Sequence, residues 1–155
     1  MSSIRVLMIE DNPGDADLTR ESLEISKIEI DLRVALDGIE AMNILKGRDR
    51  RDNHWQPDLI LLDLNIPKKD GRQTLSEIRS EEELRHIPVV ILTSSDAEND
   101  VIQSYALGAN CYVTKPFDLR AFQSVVGAIE LFWFNVVKLP ANPTRLKWCV
   151  NDKAD

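Results

Sequence analysis

Short apolar runs of strand length recur along the chain. Ile4 to Ile9 and Leu59 to Leu62 are apolar with almost no polar alternation, and Pro88 to Leu92 is similar. Such runs are typical of strands buried on both faces of a parallel sheet. Residues 28–34 alternate between apolar and polar side chains instead, which predicts a more exposed strand near the sheet edge. Cys111 to Thr114 is predicted as a fifth strand.

Segments with helical spacing separate these strands. The predicted helices cover residues 15–27, 38–45, 71–79, 97–107 and a long final helix that begins after Asp118 as its N-cap. Gly47 and Gly108 are placed where they would end the second and fourth helices. Five repeats of strand and helix predict a doubly wound α/β fold, with helices on both faces of a five-stranded parallel sheet. A flavodoxin-like strand order, 2-1-3-4-5, would make the first and third strands neighbours.

Polar side chains suited to chemistry follow four of the predicted strands. Glu10 and Asp11 follow the first strand, Asp63 the third, Thr93 the fourth and Lys115 the fifth. In open α/β sheets, ligands bind in the crevice beyond the carboxyl ends of the strands. We therefore expect these five side chains to lie together at one edge of the sheet.

The acids in this group predict a metal site. Carboxylates roughly 4 Å apart repel by about 4 kcal/mol per pair at an effective dielectric constant near 20, so Glu10, Asp11 and Asp63 require a neutralising partner. No Cys or His accompanies them, which favours a hard cation with oxygen ligands, and Mg²⁺ is common at phosphoryl-transfer sites. Asp63 could then form an aspartyl-phosphate, with Lys115 and Thr93 bound to the transferred oxygens.

Composition narrows the function further. The chain has 155 residues, a net charge of −7 and 43% hydrophobic residues, which indicates one globular domain and argues against direct binding to nucleic acid. No apolar run is long enough for a membrane span. Two cysteines are too few for a disulfide scaffold, and no signal peptide precedes the first strand, so we expect a cytoplasmic protein.

In the order of these motifs the chain resembles the response-regulator receiver family of two-component signalling, whose domains are CheY-like. The resemblance covers residues 4 to about 130. In that resemblance Glu10-Asp11 is the metal-binding acid pair, Asp63 the phosphoacceptor, Thr93 the switch hydroxyl and Lys115-Pro116 the lysine with its proline. The family often has Asp where Glu10 stands, and Glu10 is expected to reach the metal through water.

Further roles rest on the resemblance alone. It implies that the backbone carbonyl of Asn65 is a metal ligand and that Tyr112 is a switch aromatic, although an aromatic residue in a short strand commonly serves packing. Asp70-Gly71 matches the start of the family's third helix. The resemblance also allows a cis bond between Lys115 and Pro116.

The function implied is that of a single-domain response regulator. It would take a phosphoryl group from a sensor histidine kinase and signal by changing protein contacts, with residues 1–137 as the receiver domain and 138–155 as a tail without an output domain. An aspartate-nucleophile phosphatase of the haloacid-dehalogenase type is an alternative, but its second acid would stand where Asn65 does. A receiver retained only as a scaffold would be expected to lose an acid or the lysine.

The end of the last helix predicts a partner surface. Phe122, Val126, Ile129, Trp133 and Val136 recur at helical spacing and should pack on the sheet. Leu131 and Phe134 point away from that stripe, and either the following residues or a partner would cover them. The ending resembles stand-alone regulators that serve phytochrome kinases, which implies a phytochrome-type kinase partner and a homodimer.

Overall fold

The computed structural model describes residues 3–25, 28–47 and 55–140. Five strands and five α-helices alternate along it, and a π-helical segment follows the last helix. The strands are β1 (Ile4–Ile9), β2 (Ile30–Ala35), β3 (Leu59–Leu62), β4 (Val89–Thr93) and β5 (Cys111–Thr114). The helices are α1 (Pro13–Glu24), α2 (Gly38–Leu45), α3 (Gly71–Ser80), α4 (Glu98–Ala106) and α5 (Leu119–Glu130).

All strand pairs are parallel, and their order is β2-β1-β3-β4-β5. The predicted fold class and strand order are therefore confirmed. The register aligns Ile9 with Leu62 and Thr93 with Thr114, so neighbouring strands end at the same edge. The residues that follow these strand ends are consequently brought together by the sheet itself.

Alternate residues of the sheet build two cores on opposite faces. Leu7, Ile60 and Ile91 pack with the buried side chains of α2 and α3 on one face. Val6 and Leu61 pack on the other face with Ala16 of α1 and the residues of α5. The central strands β1, β3 and β4 are apolar except at Arg5 and Thr93, because both of their faces are covered by helices.

The first helix differs from its predicted bounds. It begins at Pro13, two residues before Asp15, because the Asn12 side chain accepts a hydrogen bond from Asp15 N at 3.1 Å and proline suits the first helical position. The helix ends at Glu24, and Ile25, which follows it, is 83% exposed. Thr19 is buried, and its hydroxyl donates to Asp15 O at 2.9 Å.

The chain after α5 also corrects the prediction. Leu131–Val136 is π-helical, and Val137 N donates to Phe132 O five residues back at 2.8 Å. Each residue of this wider turn rotates less than in an α-helix. Val136, predicted in the core, is therefore 68% exposed, whereas Phe134 is half-buried against the core on the α1 and α5 side of the sheet. Phe134, predicted to point away from the packed stripe, is thus partly covered within the described chain, whereas Leu131 is exposed.

The fourth helix is attached to the domain by few contacts. Ser104 is its one buried residue, and no side chain caps its N-terminus. Its polar ties include the Arg72 pair with Asp100 at 2.6 Å, the hydrogen bond from the Ser95 hydroxyl to Asp100, and the hydrogen bond from Tyr112 N to the Tyr105 hydroxyl at 3.2 Å.

The predicted tail, residues 138–155, falls largely outside the described residues. Within the described ranges, none of the helices combines the length and the apolar character that a membrane crossing requires.

Candidate functional site

The three predicted metal-binding acids meet beyond the ends of β1 and β3. Glu10, Asp11 and Asp63 each offer a carboxylate oxygen, and these oxygens all lie within 4.8 Å of one another. Glu10 and Asp63 are buried, whereas Asp11 is exposed. The pairing of β1 with β3 creates this cluster, because Glu10 and Asp63 directly follow the aligned residues Ile9 and Leu62.

Lys115 reaches the same cluster from the end of β5. Its ammonium donates to Asp63 Oδ2 at 2.8 Å, to Asp15 Oδ2 at 2.9 Å and to Glu10 Oε1. The lysine is only 8% exposed, so its charge is neutralised by carboxylates and not by water. An ammonium has three donor hydrogens, and all three are used here.

Two neutral donors complete the surroundings of Asp63. The Thr93 hydroxyl donates to Asp63 Oδ1 at 2.8 Å, and Asn65 N donates to the same oxygen at 3.1 Å. Thr93 is completely buried. The Asp63 carboxylate is thereby fixed by Lys115 on one oxygen and by Thr93 and Asn65 on the other.

The acids of the site differ in their pKa values. Burial alone would raise the pKa of Asp63, but the hydrogen bonds from Lys115, Asn65 and Thr93 lower it below its usual value. Burial raises the pKa of Glu10 to about 7, because the hydrogen bond from Lys115 offsets only part of this effect and the Asp63 charge adds to it. For Lys115, burial alone would lower the pKa, but its carboxylate partners raise it. Asp63 is therefore ionised and charged Lys115 lies against it.

Close backbone packing sets the position of Asp63. Gly71 N donates to Leu64 O at 3.0 Å, and a Cβ on Gly71 would lie 2.5 Å from the Asp63 carbonyl oxygen and 2.6 Å from Leu64 Cα. Asp70 caps α3 by accepting from Gln73 N at 2.9 Å, while the Gln73 side chain accepts from Asp70 N. The start of α3 is thus packed directly against the loop that carries Asp63.

A comparison with protein families identifies this arrangement. The family model described as the response regulator receiver domain matches residues 6–127, which include every side chain of the cluster. The chain belongs to the response regulator receiver family. The resemblance predicted from the motifs is therefore confirmed, and the receiver is a signalling protein in its general class.

Individual relatives cover most of the receiver. Response regulator Rcp1 of Synechocystis sp. is 46% identical over 136 residues, which are 88% of this chain and 92% of that protein. The crystal structure of Mn²⁺-bound Rcp1 has a TM-score of 0.85 and covers 89% of this chain and 99% of its own. That of the phosphorylated cyanobacterial phytochrome response regulator RcpA has a TM-score of 0.87 at 42% identity, over 90% of this chain and 100% of its own.

The donor set of the receiver fits a divalent cation. Glu10, Asp11 and Asp63 supply carboxylate oxygens within reach of one another, and among the described residues no Cys or His joins them. Hard cations such as Mg²⁺ and Mn²⁺ take oxygen ligands of this kind. The cluster could therefore bind a divalent metal, whereas the expected contribution of the Asn65 carbonyl stays a prediction.

Tyr112 contacts the loop that follows Thr93. Its hydroxyl donates to Ser95 O at 2.7 Å, and the Ser95 hydroxyl in turn donates to Asp100 Oδ2 at 2.6 Å. The half-buried ring also packs against the core on the α2 and α3 side. Tyr112 thus contacts the loop after β4, two residues beyond Thr93, and this position agrees with either packing or a switch.

The structure departs from the sequence predictions at two points of the site. The bond between Lys115 and Pro116 is trans, as are all peptide bonds of the described residues, so the cis expectation is wrong. The sequence patterns predict Asp15 only as a helix residue, yet its carboxylate accepts a hydrogen bond from Lys115. Its one sequence signal was an acid in the first turn of α1, which is also the ordinary choice for a helix N-terminus.

Proposed function

We propose that this receiver accepts a phosphoryl group on Asp63 from the phosphohistidine of a sensor histidine kinase and then signals through altered protein contacts. The observation that carries the proposal is the buried, ionised Asp63 held between Lys115 and Thr93, with Glu10 and Asp11 beside it. This group of residues supplies the nucleophile, the cation site and the hydrogen-bond donors that phosphoryl transfer requires.

In the proposed reaction, an Asp63 carboxylate oxygen attacks the phosphorus of the phosphohistidine. The phosphorus–nitrogen bond breaks, and its electron pair returns to the imidazole, which then takes a proton from solvent. Lys115 donates to the transferred oxygens and stabilises their charge. Mg²⁺, held by Glu10, Asp11, Asp63 and the Asn65 carbonyl, would neutralise charge that develops on the same oxygens.

Thr93 and Tyr112 would convert the phosphorylation into a change of surface. The Thr93 hydroxyl now donates to Asp63 Oδ1 and would transfer this bond to a phosphoryl oxygen. That movement would displace the loop after β4, whose Ser95 carbonyl is bound by the Tyr112 hydroxyl. We propose no turnover of other substrates beyond autodephosphorylation of the receiver itself.

The kinase that we propose is of the phytochrome type. The support is the similarity to RcpA, which is a phytochrome response regulator and was crystallised in phosphorylated form. Because the donor phosphohistidine is made from ATP, we place the reaction in the cytoplasm. Transfer from a panel of autophosphorylated kinases tests this assignment, and equal transfer from kinases without a phytochrome photosensor would contradict it.

Incubation with acetyl phosphate and Mg²⁺, followed by intact mass and peptide mapping, tests the acceptor. Wild type should gain one phosphoryl group that is stable in acid and labile in base, and Asp63→Asn should gain none. Asp96→Asn, which changes an exposed acid in the β4–α4 loop, should react as wild type does. Rapid turnover without a retained group would indicate a phosphatase, and no reaction would indicate a scaffold.

We also propose that the receiver forms a symmetric homodimer through the end of α5. Leu131, Phe132 and Val136 are 62%, 50% and 68% exposed and are contributed by one short segment. Phe134 is also predicted in this surface, but because it is partly buried it would contribute less contact area to the interface. Light scattering of Leu131→Ser tests this surface, and Ile39→Ser, which changes an exposed apolar residue on α2, is the control. If wild type is a monomer both with and without phosphodonor, the homodimer is refuted.

A further inference from the structure

Asp15 occupies a place that the proposed reaction leaves unexplained. Its carboxylate lies 2.9 Å from Lys115 Nζ, yet it is not among the three acids whose oxygens form the metal cluster. It stands on the first turn of α1, with its amide bound to the Asn12 side chain and its carbonyl accepting from Thr19. Its backbone is therefore fixed at both hydrogen-bonding groups.

The lysine and a metal ion would interact with the same two carboxylates. Lys115 donates to Asp63 Oδ2 and Glu10 Oε1, and these two carboxylates are also the buried members of the cluster. A cation bound by these carboxylates would compete with the ammonium for their negative charge. A buried ammonium that lost every carboxylate partner would be strongly destabilising.

Asp15 removes this conflict. We propose that Asp15 is a positioning residue that retains Lys115 when a divalent cation occupies Glu10 and Asp63, and so permits the metal and the lysine to coexist in the site. This inference rests on the proposed function. Asp15 lies only 30% exposed at its side chain, and the lysine at 7%, so their ion pair is poorly screened by water.

The proposal gives two expectations of opposite sign. Asp15→Asn should weaken Mg²⁺ binding, because Lys115 then has only Glu10 and Asp63 as charged partners and opposes the cation more strongly. At saturating Mg²⁺ the same change should strengthen binding of beryllofluoride, an anionic analogue of the phosphoryl group. The reason is that an uncharged amide at position 15 accepts a weaker hydrogen bond than a carboxylate does, so Lys115 interacts more strongly with the analogue.

Asp17→Asn is the matched control. Asp17 lies two residues along the same helix and is exposed, and it is not one of the carboxylates that bind Lys115. Both changes remove one negative charge from α1, so the control measures the general field at the site. Calorimetric titration of the full chain should give a Mg²⁺ dissociation constant raised at least about fivefold in Asp15→Asn, a typical coupling, and far less in Asp17→Asn.

A double-mutant cycle with Lys115→Ala separates positioning from charge. If Asp15 acts through the lysine, the effect of Asp15→Asn on Mg²⁺ affinity should become at least about threefold smaller once Lys115 is absent. An unchanged effect in Lys115→Ala, or equal effects of Asp15→Asn and Asp17→Asn, would overturn the proposal. Thermal unfolding of each variant without metal verifies that the fold is retained.

The failure of this inference is distinguishable from failure of the proposed function. If wild type binds no Mg²⁺ and retains no phosphoryl group on Asp63, the proposed function itself is wrong. If wild type does both and Asp15→Asn matches Asp17→Asn, only the role of Asp15 is refuted.

Discussion

Replacement of Gly71 by alanine tests the packing that positions Asp63. General helix propensity predicts a gain, since Gly71 is the first residue of α3 and alanine is the better helix former by about 1 kcal/mol. The structure predicts the opposite. The new Cβ would lie 2.5 Å from the Asp63 carbonyl oxygen, and that oxygen belongs to backbone that cannot rotate away.

The size of the effect follows from this distance. Separations below 3.0 Å are essentially never found for a Cβ, so α3 and the end of β3 must move apart by at least 0.5 Å. Overpacking of this kind costs about 1–3 kcal/mol, which for a domain of this size lowers Tm by about 3–10 °C. Because misplacement by about 1 Å can cost a hundredfold in rate, phosphorylation from acetyl phosphate should slow roughly tenfold.

Gly127→Ala provides the matched control within α5. A Cβ on Gly127 would meet nothing within 4 Å, so this change should stabilise the protein by about 0.5–1 kcal/mol and leave phosphorylation unaltered. Thermal and urea unfolding followed by circular dichroism measure both variants. A Gly71→Ala protein as stable and as reactive as wild type would refute the argument that this contact sets the position of Asp63.

Three further expectations concern the site and its loops. Lys115→Ala and Thr93→Ala should still be phosphorylated on Asp63 but should signal poorly; a full phosphorylation-driven change in partner binding by either variant would contradict their roles. Lys68 has a φ of 64°, in the left-handed region that favours glycine. Lys68→Gly should therefore raise the free energy of unfolding by about 0.5–1 kcal/mol. Lys68→Gln keeps this backbone strain and loses the exposed ion pair with Asp37, so it should not stabilise the protein. The pKa of Glu10 is raised from 4.5 to about 7 in the folded protein. With metal removed by a chelator, the free energy of unfolding should therefore fall by about 1–3 kcal/mol as the pH rises from 4.5 through 7. Glu10→Gln should flatten that part of the unfolding profile, and an unchanged profile would contradict the assignment.

Sequence patterns predicted most of the sheet because its buried strands share the same signal, a short run of apolar residues. The apolar runs of β1, β3 and β4 can be buried only between two helical layers, and parallel strands then end together, which is why Asp63, Thr93 and Lys115 could be placed at one edge. Asp15 could not be placed there, since its contact depends on how α1 crosses the sheet and not on any strand end. The π-helical turn was missed because a continuous apolar stripe contains no local signal for an i to i+5 bond.

The sparse attachment of α4 leaves its sequence free to diverge. Glu98, Asn99, Ile102, Gln103 and Ala106 are all exposed, and substitutions at such positions usually change stability by less than about 0.5 kcal/mol. Mutations can therefore accumulate on this helix without disturbing Asp63 or the two cores. Paralogues with the same reactive site could acquire different recognition surfaces on α4 within a few substitutions, which would limit cross-talk between signalling pathways in one cell.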